Sequence, residues 1–185
     1  MKYSRTLDAI TLEVAREGSN CNLEFEPAVS LRTDIIAAEL NGRAVPFQVV
    51  TSDADQHVAI RVKLSGAANT IRIRLRNDFG VSYNSRLPAL GNSSEGLRIL
   101  SETWSPGRDQ VTLEVSGLAG REYELAVWNG GQISAIDGAE LGSGSRGAAA
   151  IHISMERKDP VTTERKTVVI HFAGKRSGRT AGKKE

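Results

Sequence analysis

Two segments in the middle of the chain alternate strictly between apolar and polar residues: His57-Val58-Ala59-Ile60-Arg61-Val62-Lys63-Leu64 and Thr70-Ile71-Arg72-Ile73-Arg74-Leu75-Arg76. Val58, Ile60, Val62 and Leu64 fall on one side of the first, and Ile71, Ile73 and Leu75 on one side of the second. That is the two-residue period of a strand with one wet face, and it forms no apolar stripe on a helix. The same pattern predicts strands near residues 8–16, 21–27, 34–41, 45–51, 57–65 and 70–77, with a short one at 80–84. Turn residues punctuate them, most clearly Asn41-Gly42, whose tolerance of left-handed backbone predicts a hairpin between 34–41 and 44–51. Residues 34–40 also carry helical propensity in Ala37, Ala38, Glu39 and Leu40, but their place before Asn-Gly assigns them to a strand.

A second series follows Leu87-Pro88-Ala89-Leu90-Gly91-Asn92-Ser93-Ser94-Glu95-Gly96, with strands expected near 97–104, 109–117, 121–128, 132–136, 147–155 and 165–172. Short strands at regular spacing in each half predict an all-β chain of two tandem antiparallel β-sandwiches, immunoglobulin-like or fibronectin III-like. The expected organisation is one sandwich over residues 1–88, a linker at 89–96, a second sandwich over 97–173 and a disordered basic tail at 174–185.

Charge sharpens this picture. The chain of 185 residues has a formal charge of +2, but Lys175, Arg176, Arg179, Lys183 and Lys184 against Glu185 give the tail +4 and leave the body at −2. A basic surface is therefore not expected on the folded part, which argues against nucleic acid as a partner. On the strands, Arg61, Lys63, Arg72, Arg74 and Arg76 should point outward, and Glu13, Glu24 and Glu26 are the expected acidic neighbours. No apolar run approaches the roughly 20 residues of a membrane span. The N-terminus lacks the continuous apolar stretch of a secretion signal, so the expectation is either a cytoplasmic protein or a module of a longer exported chain.

Candidate chemistry is sparse. Cys21, the single cysteine, excludes an internal disulfide and reads as a structural thiol. Gly142-Ser143-Gly144-Ser145-Arg146-Gly147 has the letters of a dinucleotide loop, but an alternating strand follows it where a helix is required, so it reads as a hairpin loop. Asp53 and Asp55 lack the further ligands of a calcium loop. His57, His152 and His171 have no metal-ligand spacing, although His152 and His171 would approach each other if their strands formed a hairpin. No metal or cofactor is expected, and no nucleophile elbow, phosphate loop or zincin helix is present.

Trp128 stands out. Tyr123, Leu125 and Val127 share one side of their strand, which leaves Glu122, Glu124, Ala126 and Trp128 on the other. A tryptophan among glutamates on an outer face reads as a stacking surface for a sugar ring, as an anchor for a partner domain, or equally as a packing residue curled over a sandwich end. Tyr83 is the second aromatic candidate, and Glu122, Glu124 and Asp137 are the carboxylates an enzyme would use at an interface. Trp104 is read as a core aromatic of the second half.

The phrases Asp55-Gln56-His57-Val58, Asn77-Asp78-Phe79-Gly80, Leu87-Pro88-Ala89-Leu90-Gly91, Gly96-Leu97-Arg98-Ile99-Leu100 and Tyr123-Glu124-Leu125-Ala126-Val127-Trp128-Asn129, with the closing Val168-Val169-Ile170-His171-Phe172, resemble the C-terminal paired sandwich modules of large secreted bacterial proteins. The resemblance implies architecture and an extracytoplasmic location, and it transfers no functional residue. The expected function is a non-catalytic accessory or structural module of a larger extracytoplasmic protein, associated with carbohydrate processing, whose partner is an adjacent domain or a polysaccharide. The alternatives are a stand-alone carbohydrate-binding protein, for which Trp128 and Tyr83 are the residues to examine, and an enzyme with an interface carboxylate site.

Overall fold

A computed structural model describes residues 1–17, 20–83, 88–91, 94–145, 147–157 and 162–174. The first half contains β1 (Lys2–Arg5), β2 (Ala9–Ala15), β3 (Cys21–Phe25), β4 (Ala28–Ser30), β5 (Asp34–Leu40), β6 (Arg43–Ala44), β7 (Gln48–Thr51), β8 (Asp55–Leu64) and β9 (Ala68–Arg76). They form one sheet in the order β1-β2-β9-β5-β6 and a second in which β8 pairs with β3, β4 and β7, all antiparallel. Ile10, Ile60, Leu64, Ile71, Ile73 and Leu75 close the core between them, each almost wholly out of water. The period of β9 is obeyed residue by residue, with Arg72, Arg74 and Arg76 exposed and the intervening apolar residues buried.

Neighbouring acids pair with Arg61 and Arg74, though not all are those the sequence suggested. Arg61 pairs with Glu24 at 2.7 Å across β8 and β3, whereas Arg74 lies 3.4 Å from Glu39 and Glu13 serves Lys2 at 3.8 Å. The hairpin at Asn41-Gly42 forms, with Asn41 at a φ of 52° and Gly42 at 78°, but it is short. Pro46 then interrupts the chain, and β7 crosses to pair with β8. Cys21 is exposed at the start of β3 and is not a buried thiol.

The second half contains β10 (Gly80–Ser82), β11 (Arg98–Trp104), β12 (Gln110–Leu118), β13 (Glu122–Trp128), a single 3-10 turn (Gly130–Gln132), β14 (Ile133–Asp137), β15 (Glu140–Ser143), β16 (Ala149–Ser154) and β17 (Thr163–Phe172). The sheets run β10-β13-β16-β15 and β11-β12-β17-β14. Strand β15 is absent from the sequence reading. β10 pairs with β13, and Phe79 lies in the second core with Leu113, Leu125 and Ile151. The passage from one sandwich to the other is therefore Asn77-Asp78-Phe79, and the expected linker at 89–96 falls between β10 and β11, both strands of the second sandwich, with 92 and 93 outside the described residues. In that connection Leu90 is fully exposed, while the Glu95 carbonyl accepts from the Tyr123 hydroxyl at 3.0 Å. The tail beyond Gly174 lies outside the described residues.

Candidate functional site

The three-residue passage carries a buried carboxylate. Asn77 takes a left-handed φ of 59°, which turns the chain out of β9 and points Asp78 back between the two sandwiches. The Asp78 side chain has no exposed surface. Arg5, at the end of β1, donates to its Oδ2 from Nε at 3.0 Å and Nη2 at 2.6 Å, a two-pronged contact that fixes both groups. Thr33 Oγ1 donates to Oδ1 at 2.9 Å, and the Trp128 indole N–H donates to Oδ2 at 3.1 Å. The Asp78 carbonyl accepts from Asn129 Nδ2 and Gln132 Nε2, each at 2.8 Å. A carboxylate taken out of water stays stable only when its oxygens are satisfied, and here donors from both sandwiches satisfy them.

A second buried ion lies beside it. Arg32, in the turn between β4 and β5, is 1% exposed. Its Nε donates to Gln132 Oε1 at 3.0 Å, and its Nη1 and Nη2 donate to the carbonyls of Arg108 and Ala173, both at 2.7 Å. The guanidinium sits 4.5 Å above the Phe172 ring, which stacks with Trp104 and meets Phe79 edge-on. Burial pushes Arg32 below the usual guanidinium range, and the charges of Asp34 and Asp109 oppose that shift. Gln132 links the two ions, since its oxygen serves Arg32 and its nitrogen serves the Asp78 carbonyl.

Beside this joint an open groove of about 640 Å³ runs between the sandwiches. Arg5, Ser30 and Asp55 line it from the first, and Ser82, Glu102 and Trp128 from the second. Trp128 is 37% exposed. Its N–H is tethered to Asp78, so the ring is held at one edge and open to the groove. Asp55 accepts from Ser52 Oγ at 2.7 Å and lies 3.3 Å from His57 Nε2, while Glu102 accepts from the Trp104 indole at 2.7 Å. The floor is small: Ala28, Ala54, Gly80 and Ala126.

The other sequence candidates do not join Trp128 there. Tyr83 is half-buried against the second core and meets Tyr123 edge-on at 6.1 Å, on the opposite face of the sheet from Trp128. Glu122 is exposed opposite Ser154. Glu124 accepts from the Ser145 amide at 3.2 Å, beneath the folded-back tip of the β15–β16 hairpin. Asp137 belongs to the other sheet and bonds His171 at 2.9 Å. His152 and His171 lie on strands of different sheets, so the hairpin that would bring them together does not form. Among the described residues no group of three or more His, Cys, Asp or Glu is arranged to hold a metal ion, and no helix is long and apolar enough to cross a membrane.

Sequence reasoning found Trp128 but missed Asp78, Arg5, Arg32 and Glu102. No local signal marks Asp78, Arg5 and Arg32, because each acquires its role from a partner far along the chain, while Glu102, bonded to Trp104 two residues on, gains its place on the groove wall from the packing of the two sandwiches. Comparison with protein-family models, curated proteins and solved structures finds no match, so the groove and the joint beside it are the ground on which a function is argued.

Proposed function

We propose that the chain is a non-catalytic accessory module of a larger extracytoplasmic bacterial protein, associated with carbohydrate processing, in which two immunoglobulin-like or fibronectin III-like sandwiches act as one rigid recognition and spacing unit. The observation that carries this reading is the buried polar joint. Domains linked by a flexible segment reorient by default, but here the buried residues Arg32, through its side chain, and Asp78, through its carboxylate and its backbone carbonyl, bond across the boundary. Rotating one sandwich against the other would break several of these bonds together and strand buried donors and acceptors. A spacer needs that resistance, and a groove between sandwiches keeps its shape only if the sandwiches keep their angle.

The test is orientation in solution. Residual dipolar couplings measured separately for residues 2–76 and 98–172 are expected to fit one common alignment tensor. Two independent tensors would sink the rigid-unit reading. Reproducible turnover of a panel of nitrophenyl glycosides or esters by the purified chain would replace it with an enzyme reading.

A further inference from the structure

We infer that the groove between the sandwiches binds a donor-rich, non-acidic oligosaccharide, with one sugar ring stacked on Trp128; for its setting this rests on the rigid-unit reading above. The groove volume of about 640 Å³ falls in the range of small-molecule sites, and its openness to solvent suits a ligand that projects from it more than an enclosed one. Trp128 offers an apolar ring whose orientation is fixed in advance by the buried Asp78 carboxylate at 3.1 Å, so little rotamer freedom is left to lose on binding. The small floor of Ala28, Gly80 and Ala126 lets a ring approach the backbone.

The polar atoms then select the ligand's chemistry. The groove's cation, Arg5, is consumed by Asp78 and the Ala28 carbonyl. What remains on the two walls is acceptor-rich: the Asp55 carboxylate, with Ser52 Oγ on one oxygen and His57 Nε2 at 3.3 Å from the other, and the Glu102 carboxylate, with the Trp104 indole on one oxygen, each with lone pairs left to accept more. Hydroxyl and amino groups of a sugar supply donors to such oxygens, whereas a uronate or sulfate would face two anions with no free cation among the described lining residues. The ligand class is therefore a glycan of neutral or amino sugars.

The chain has two tryptophans, so a proton–nitrogen correlation spectrum shows two indole N–H signals. Titration with cellohexaose, xylohexaose, a chitosan hexamer and hexagalacturonate is expected to shift the Trp128 signal for at least one of the first three, with the Trp104 signal following through Glu102, to which its N–H donates, and to leave both signals unmoved by hexagalacturonate. Trp128→Ala should weaken that binding at least tenfold. Because removing the indole also removes a donor from Asp78, Ala126→Arg is the companion variant: it fills the groove from an exposed floor position without touching the joint and should weaken binding equally while unfolding at the same temperature as the parent. No shift with any hexamer, preferential binding of hexagalacturonate, or unchanged affinity in Ala126→Arg would each overturn the inference. A common alignment tensor without glycan binding defeats this inference alone, and glycan binding with two tensors defeats the rigid-unit reading alone.

Discussion

Arg32 and Gly117 show how single residues hold this structure. Replacing Arg32 by Met would leave the Arg108 and Ala173 carbonyls and the Gln132 oxygen without their donor, in a place water reaches poorly. We expect a loss of about 2–4 kcal/mol in urea denaturation, and nearly as much for Arg32→Lys, because an ammonium lacks the planar fork that serves three acceptors at once. Gly117 faces the Tyr123 ring so closely that an added Cβ would lie 2.5 Å from it. That ring is also anchored, its hydroxyl accepting from the Leu118 amide at 2.8 Å and donating to Glu95. Gly117→Ala is therefore expected to destabilise by about 1–3 kcal/mol, the range of an overpacked core, read by the same denaturation. Residues of this kind were not legible beforehand. Asp78 falls between the strands expected at 70–77 and 80–84, and only the arrival of Arg5 and Trp128 from distant strands makes the aspartate a buried hub.

Strands were more legible, where their period was long enough to count. β9 repeats its alternation over nine residues, so a register slip would exchange every inward for every outward side chain. Ile73→Ala should accordingly cost about 2–5 kcal/mol through lost burial and a residual cavity, while Arg74→Ala on the opposite face should stay within about 0.5 kcal/mol; the reverse ranking would mean a different register. β15 has four residues, two of which are Gly142 and Ser143, so neither period nor propensity marks it, whereas the short strand expected at 80–84 forms as the three residues of β10. Residues 34–40 show the opposite balance. Their helical propensity yields to pairing with β9, which buries Ala38.

At the level of the whole molecule, acid should loosen the joint's surroundings in a defined direction. Asp109 is held below the usual carboxylate range, first by the Ser105 hydroxyl and then by its own backbone amide, with Arg32 and His171 adding to the effect. A carboxylate depressed in the folded state stabilises fully above its unfolded value, and that contribution disappears as pH falls through the folded value. Ser105→Ala should therefore lower stability most at neutral pH, with the deficit narrowing as the solution is acidified to what the lost bonds from the Asp109 and Gln110 amides contribute, as read from denaturation midpoints across pH. A difference that grew toward acid would contradict this assignment. Proteolysis addresses the same scale. Cleavage at the exposed Leu90 should leave two pieces that stay together on gel filtration, since β10 remains hydrogen-bonded to β13 across the cut. Two freely separating pieces would show that β10 contributes little to the second sandwich. The all-β class was plain from periodicity, but the membership of β10 was not, because sequence order places it next to β9 while hydrogen bonding places it with β13.

That displaced strand also sets an order of events during synthesis. The first sandwich has all its strands once Arg76 has emerged, whereas Gly80–Ser82 must wait until Trp128 has been made. At roughly 5–20 residues per second the wait lasts a few seconds, during which a nascent chain carries a finished domain followed by an unpaired strand and the solvent-facing ring of Phe79. Anything that captures an extended segment has its opportunity then, and a gene cut at residue 97 would make a second sandwich that waits indefinitely for the strand left behind.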